Sequence, residues 1–183
     1  DASSKNIKPD FQLIEKLAQE CRMPLCYGGG IKNIQDIKKL ISLGVEKVSI
    51  SSEIINNPEL IIKAAETVGS QSIVATLDIR IGGLFKLGTI FTNNGRTSHS
   101  LKLIPFLKKI ENYGIGEIII NDINKDGLMN GYDIKHIKKI SQVVKVPITF
   151  LGGAGNLNDI KLLWETDPSI GAAAGSLFVF KGK

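Results

Sequence analysis

An internal repeat constrains this chain more than any other feature. Gly29-Gly30 is followed by Asn33, Asp36, Ile37, Lys38 and Leu40, and Gly152-Gly153 by Asn156, Asp159, Ile160, Lys161 and Leu163, every pair at one offset. Each glycine pair closes an apolar run, Pro24-Leu25-Cys26-Tyr27 in one case and Pro147-Ile148-Thr149-Phe150-Leu151 in the other, and each precedes a helix-like segment. Glycines at a strand-to-helix turn let backbone N–H groups converge on an anion, and the helix N-terminus adds partial positive charge. Two such turns predict two phosphate sites, hence a substrate with a phosphate at each end.

Strand-like runs occur at 24–28, 45–50, 72–79, 116–121, 146–151 and 170–174. Helix-like amphipathic runs occur at 8–20, 33–42, 58–67, 100–113, 133–143 and 156–165. Asn33 and Asn57-Pro58 are helix starts, Gly44 and Gly114 helix stops. The strand runs are continuously apolar, the pattern of parallel strands covered on both faces. Right-handed crossovers then leave an open doubly wound sheet or a closed (β/α)8 barrel. The repeat selects the barrel: its offset, 152 less 29 or 123 residues, doubles to about 246, close to the ~250 typical of that fold. The expected fold class is therefore α/β, a (β/α)8 TIM barrel with a twofold half-barrel repeat, residues 1–183 forming one partial barrel domain. Six strands would leave two open parallel edges. The expectation is an incomplete barrel, lacking the first strand or strands and the last helix. Leu84 to Leu87 and Thr89 to Thr92, followed by Asn93-Asn94-Gly95-Arg96, read as a hairpin-bearing loop over the C-terminal face, where active sites of this fold lie.

The charge balance is mild, +5 net, with lysines scattered on helix-like segments as at Lys38-Lys39 and Lys138-Lys139. That pattern suits solvated helix faces and a weak pull on anionic substrates. With 6% aromatic residues and no basic stripe, no nucleic-acid partner is expected. No apolar run approaches the ~20 residues of a membrane span, so no membrane partner is expected either. Cys21 and Cys26 lack a His or Cys cluster. They read as reduced thiols of a cytoplasmic protein, Cys26 in a buried strand, with no metal site. His99 and His136 read as structural or exposed.

Catalytic groups of such a barrel sit at strand C-termini. Asp78 ends the run Ser72 to Leu77, and a carboxylate there is a general acid or base, or else an anchor for loop N–H groups. Asn121, Asp122 and Asp126-Gly127 follow the run Glu117 to Ile120, although Asp126-Gly127 could be only a turn. Ser51-Ser52 and Gly175-Ser176 end two further strands. With Gly28-Gly29-Gly30 and Gly152-Gly153, they supply small residues and hydroxyls suited to phosphate cradles. Lys47 and Glu117 lie near strand N-termini. They form either a salt bridge plugging the barrel bottom or a functional pair.

Together the stretches Pro24 to Ile31, Gly44 to Ser51, Asn57-Pro58, Gly69-Ser70-Gln71, Leu77-Asp78, Gly114 to Glu117, Asp126-Gly127, Gly131-Tyr132-Asp133 and Gly152 to Gly155 resemble the cyclase subunit of imidazole glycerol phosphate synthase along the whole chain. The resemblance implies a twofold barrel without metal or organic cofactor. Its activity takes ammonia from a partner glutaminase to split a phosphoribosyl-formimino bisphosphate into imidazole glycerol phosphate and an aminoimidazole carboxamide ribotide. It implies that Asp78 is one of two catalytic aspartates, the other belonging to a first strand outside this chain. Gly29, Gly30 and Ser52 fall at one phosphate site, and Asp126, Gly127, Gly153 and Ser176 at or beside the other. Lys47 and Glu117 match a charged gate through which ammonia enters. Three departures bear on the substrate. The family commonly has Asn-Thr at Ser51-Ser52, Thr-Ser at Asn121-Asp122 and Asp at Asn124. Asn121 is more similar to a paralogous branch from surface-polysaccharide clusters, which forms an acetamidino group on a sugar, again beside a glutaminase. A third reading is a non-catalytic barrel that binds and activates a glutaminase.

Overall fold

The computed structural model describes residues 7–82 and 88–179; Leu84 to Leu87, expected in the hairpin loop, lie outside them. The chain divides into two compact units. One comprises 1–76 and 110–117, the other 77–109 and 118–183, and the third and sixth strands pass from one to the other.

The first unit alternates helices and parallel strands: α1 (Phe11–Glu20), β1 (Cys26–Gly28), α2 (Ile34–Ser42), β2 (Lys47–Ile50), α3 (Ser52–Asn56), α4 (Pro58–Val68), a 3-10 turn at Ser70–Ser72 and the start of β3 (Ile73–Arg80). Cys26 pairs with Lys47, Gly28 with Ser49, and Val48 with Ile73, giving the order β1-β2-β3. The caps are written in the sequence. Asn33 and Asn57 accept hydrogen bonds from the N–H groups of Asp36 and Leu60, and Pro58 fills the first helical position, where no N–H is needed. Ile37 and Leu40, three apart on α2, are fully buried, as are Val48, Ile61 and Ile73 of the same unit. Each such side chain contributes roughly 1.5–3 kcal/mol by leaving water.

Burial along β2 alternates. Val48 and Ile50 are buried, whereas Lys47 and Ser49 are half-buried. The expectation of strands buried on both faces is therefore corrected: the second face carries polar groups that bond one another. Ser49 Oγ lies 2.6 Å from Thr76 Oγ1. Cys26 also departs from expectation. It stands in β1 but is exposed, because β1 is an end strand of the order, paired with β2 on one side.

The second unit holds the rest of β3, then β4 (Thr89–Thr92), β5 (Thr97–His99), most of α5 (Leu103–Glu111), β6 (Glu117–Asp122) from Ile118, α6 (Ile134–Ser141), β7 (Ile148–Leu151), α7 (Leu157–Thr166), β8 (Gly171–Ala173) and α8 (Ser176–Val179). The parallel order is β3-β6-β7-β8, with Ile118 opposite Ile148 and Thr149 opposite Gly171. The expected hairpin is present. β4 runs antiparallel to β3 and pairs with β5 across a turn in which Asn93, Asn94 and Gly95 all have positive φ. His99 belongs to β5 and bonds Thr92 Oγ1 at 2.9 Å, while His136 bonds the α6 cap Asp133 at 2.9 Å; both are structural. No helix among the described residues is long and apolar enough to cross a membrane.

Candidate functional site

The second glycine turn is walled on three sides. Gly152 and Gly153, directly after β7, share one small pocket with Asp126 and Gly127 from the β6–α6 loop and with Gly175 and Ser176 at the start of α8. Glycine is required at both turn positions. Gly152 has φ +102° and a Cβ there would stand 2.6 Å from the Asp122 carbonyl oxygen; Gly153 has φ +108° and its Cβ would meet the Gly131 carbonyl. The loop is pinned from within. Asp126 N–H donates to the Asp122 carbonyl at 2.9 Å, and Gly131 N–H to the Gly153 carbonyl at 2.7 Å. Lys125, which no local sequence pattern singles out, donates from Nζ to the Gly131 carbonyl at 2.8 Å. It brings a cation to the loop that frames the pocket. A pocket of glycines, a hydroxyl and a helix start, with a lysine in its framing loop, suits a phosphate.

The first turn has the same backbone signature, Gly29 at φ +118° and Gly30 at φ +71°. Gly28 pairs with Ser49, so the glycine turn leaves β1 next to β2, which ends at Ile50 just before Ser51 and Ser52. Ser51 stands at the N-cap position of α3 without a side-chain cap bond, and Ser52 opens the helix. The repeat also explains the asparagines and aspartates that follow the glycines: they cap helices. Asn156 and Asp159 form a reciprocal capping box on α7, and Asp159 Oδ2 accepts from both Gly155 N–H (2.9 Å) and Asn156 N–H (3.0 Å).

Asp78 lies in the C-terminal half of β3, on the half-buried face, opposite Phe91 of β4. Asn121, on the corresponding face of β6, donates from Nδ2 to Asp78 Oδ1 at 3.0 Å. Asn121 Oδ1 is buried and without a hydrogen-bond partner among the described residues, an arrangement that costs about 1–3 kcal/mol. Asp122 faces the opposite way and is 6% exposed. Burial pushes its carboxyl up, against the lowering effect of the Asn124 and Ile81 N–H groups, and its Oδ1 accepts from Asn124 N–H at 3.1 Å. Asp122 is thus the loop anchor of this group and Asp78 the carboxylate on the polar face. The sequence could not show that Asn121 and Asp78 meet, because strand pairing between distant segments is invisible to local pattern.

Lys47 and Glu117, the first residues of β2 and β6, form an ion pair with Nζ 2.7 Å from Oε2. The lysine is 36% exposed and the glutamate 17%. The hydrogen bond to Glu117 raises the Lys47 ammonium above its ordinary range, against a smaller opposing effect of burial. Among the described residues no group of His, Cys, Asp and Glu is arranged to hold a metal ion.

The sequence model of the family described as "Histidine biosynthesis protein" matches residues 1–183. A protein of Vibrio vulnificus (strain YJ016), provisionally named imidazole glycerol phosphate synthase subunit hisF3, is 50% identical over 183 residues, all of this chain and 70% of its own length. A Leptospira borgpetersenii protein with a provisional HisF name is 48% identical over 99% of this chain and 71% of its own. Imidazole glycerol phosphate synthase subunit HisF of Clostridium botulinum (strain Okra / Type B1) is 37% identical over 93% of this chain and 68% of its own.

Proposed function

The chain belongs to the histidine biosynthesis protein family, among the HisF-type cyclase subunits of imidazole glycerol phosphate synthase, and from that premise we propose that it performs their ammonia-dependent cyclisation. The substrate is a phosphoribosyl-formimino bisphosphate, the nitrogen comes from a partner glutaminase, and the products are imidazole glycerol phosphate and an aminoimidazole carboxamide ribotide. The observation that carries the proposal is the convergence of Asp126, Gly127, Gly152, Gly153, Gly175 and Ser176 on one pocket, in the same unit as the half-buried carboxylate of Asp78. The pocket takes one phosphate. Gly29, Gly30, Ser51 and Ser52 are assigned to the other. Asp78 moves a proton to or from the reacting substrate. The Lys47–Glu117 pair is assigned to ammonia entry.

The test is turnover of that bisphosphate by the full-length protein with its glutaminase, measured with glutamine and, separately, with free ammonium at high pH. Asp78→Asn should slow both by at least the ~10²-fold typical of a lost general acid or base. Lys47→Ala should slow the glutamine reaction far more than the ammonium reaction. An Asp78→Asn protein that folds and turns over normally would remove Asp78 from the catalytic machinery. A wild-type protein that does not turn over the bisphosphate at all would leave the sugar amidotransfer or the non-catalytic activator reading. Equal losses on both nitrogen sources for Lys47→Ala, with a lower Tm, would make the pair a structural plug.

A second reading is favoured by particular residues. Asn121-Asp122, Ser51-Ser52 and Asn124 depart from the cyclase pattern, and one relative at 50% identity bears a numbered name, hisF3. On that reading the nitrogen is transferred to a sugar, forming an acetamidino group. Genes neighbouring this one, for histidine synthesis or for sugar modification, separate the two.

A further inference from the structure

Asn121 is the least settled polar residue of the second unit. Its Nδ2 donates to Asp78 Oδ1 at 3.0 Å, and its own Oδ1 is buried with no partner among the described residues. A buried amide ordinarily finds partners at both ends, and an orphaned acceptor in a folded protein calls for an explanation. Rotating the amide by half a turn would not relieve it, because the amide oxygen would then face Asp78 Oδ1, oxygen against oxygen. The orientation is therefore dictated by Asp78, at the expense of the other end of the same side chain. A leucine of similar size would fill this place without an orphan.

Resting on the assignment of Asp78 as the proton-transfer group, we propose that Asn121 is a positioning residue, retained for the single purpose of holding the Asp78 carboxylate in its reactive orientation. The strands make the arrangement rigid. Asn121 pairs with Leu151 of β7, Asp78 pairs with Phe91 of β4, and Ile123 N–H donates to the Ile79 carbonyl at 2.9 Å between β6 and β3. Both backbones are fixed, so the side-chain bond sets the carboxylate plane rather than merely bridging two loose segments. Misplacement of a reacting group by about 1 Å costs on the order of 10²-fold in rate.

The experiment is a double-mutant cycle on the full-length protein, with the phosphoribosyl-formimino bisphosphate and free ammonium as substrates and Tm recorded for every variant. Asn121→Leu should lower kcat about 10- to 100-fold and leave KM within about twofold, as expected when only the transition-state arrangement is lost. Its Tm should be unchanged or higher, since the orphaned acceptor is gone; a purely structural asparagine would instead lower Tm and kcat together, which overturns the proposal. Asn121→Thr, which restores a donor, should recover part of kcat. Added to Asp78→Asn, Asn121→Leu should cause almost no further loss, because its effect passes through Asp78. Full additivity overturns the positioning role while leaving Asp78 catalytic. Normal turnover in Asp78→Asn itself overturns both the positioning role and the assignment on which it rests.

Discussion

The two glycine turns share a motif and differ in what surrounds it. Both have paired glycines at positive φ followed by an asparagine-capped helix. At Gly29-Gly30 the aspartate three residues after the cap accepts from the cap side chain, Asn33 Nδ2 to Asp36 Oδ2 at 2.8 Å. At Gly152-Gly153 the corresponding Asp159 takes two backbone N–H groups, and the turn is pressed against the backbone of Asp122 and Gly131. The difference lies in the preceding loop. The segment 123–131 folds back over the second turn through Asp126, Lys125 and Gly131 and gives the pocket a wall. The repeat thus encodes a common turn and helix start, and a loop outside the repeat gives one copy a walled pocket.

Substitution of the glycines should break the comparison most sharply. Gly153→Ala combines an unfavourable φ of +108° with overlap on the Gly131 carbonyl, a fixed backbone atom. It should cost more than about 3 kcal/mol in urea unfolding. Gly29→Ala, at φ +118°, should cost only the ~1–2 kcal/mol of a disfavoured conformation. Equal costs would mean that the wall around the second turn has no energetic consequence.

Next in size is the cap. Asp159→Ala strips two backbone donors of their acceptor and should cost about 1–2 kcal/mol, at the upper end for cap residues. Asp36→Ala loses the side-chain bond from Asn33, between half-exposed groups, and should cost about 0.5 kcal/mol. Thermal melts of the two variants measure the gap; a larger loss for Asp36→Ala would reverse the ranking of the turns.

What could be read in the sequence follows the range of the interactions. Strands were legible to within two or three residues, and so were the caps at Asn33, Asn57 and Asn156, because apolar runs and cap side chains act over a few positions. Asn93-Asn94-Gly95 betrayed the hairpin since few residues accept positive φ. The short helices α3 and α8 were not legible, five and four residues being too few to show a helical period. Nor was the alternating burial in β2 and β6: isoleucines such as Ile119 occupy the half-buried face and make the runs look uniformly apolar. Exposure of Cys26, the Asn121–Asp78 bond and the role of Lys125 all depend on which distant segments pair. The Lys47–Glu117 salt bridge was legible, because two charges at the starts of apolar strands each need a partner.

The last difference between the turns is one of pH. Tyr132, one residue beyond the loop that walls the second turn, donates its hydroxyl to the Ala173 carbonyl at 2.7 Å. Burial, with a lesser push from the Asp159 carboxylate, raises its phenol from 10.0 to about 12. The folded value exceeds the unfolded one, so the folded state holds this proton more tightly. The contribution is complete below pH 10 and disappears as pH climbs toward 12; a shift of that size corresponds to roughly 2–3 kcal/mol. Tyr132→Phe should cost about 1 kcal/mol at neutral pH, the worth of one hydrogen bond, and should flatten the fall in stability between pH 10 and 12. Tyr27, beside the first turn, is also raised, by burial and then by Asp10. The loop that walls the second turn lies outside the repeat, so Tyr27→Phe should change the alkaline limb less. The slope left in Tyr132→Phe should come partly from Lys47, whose raised ammonium loses its hold on Glu117 over the same alkaline range. Urea unfolding of the three proteins from about pH 8 to about pH 11.5 is the measurement, and an unchanged alkaline slope in Tyr132→Phe would show that the wall of the second turn does not shield its tyrosine.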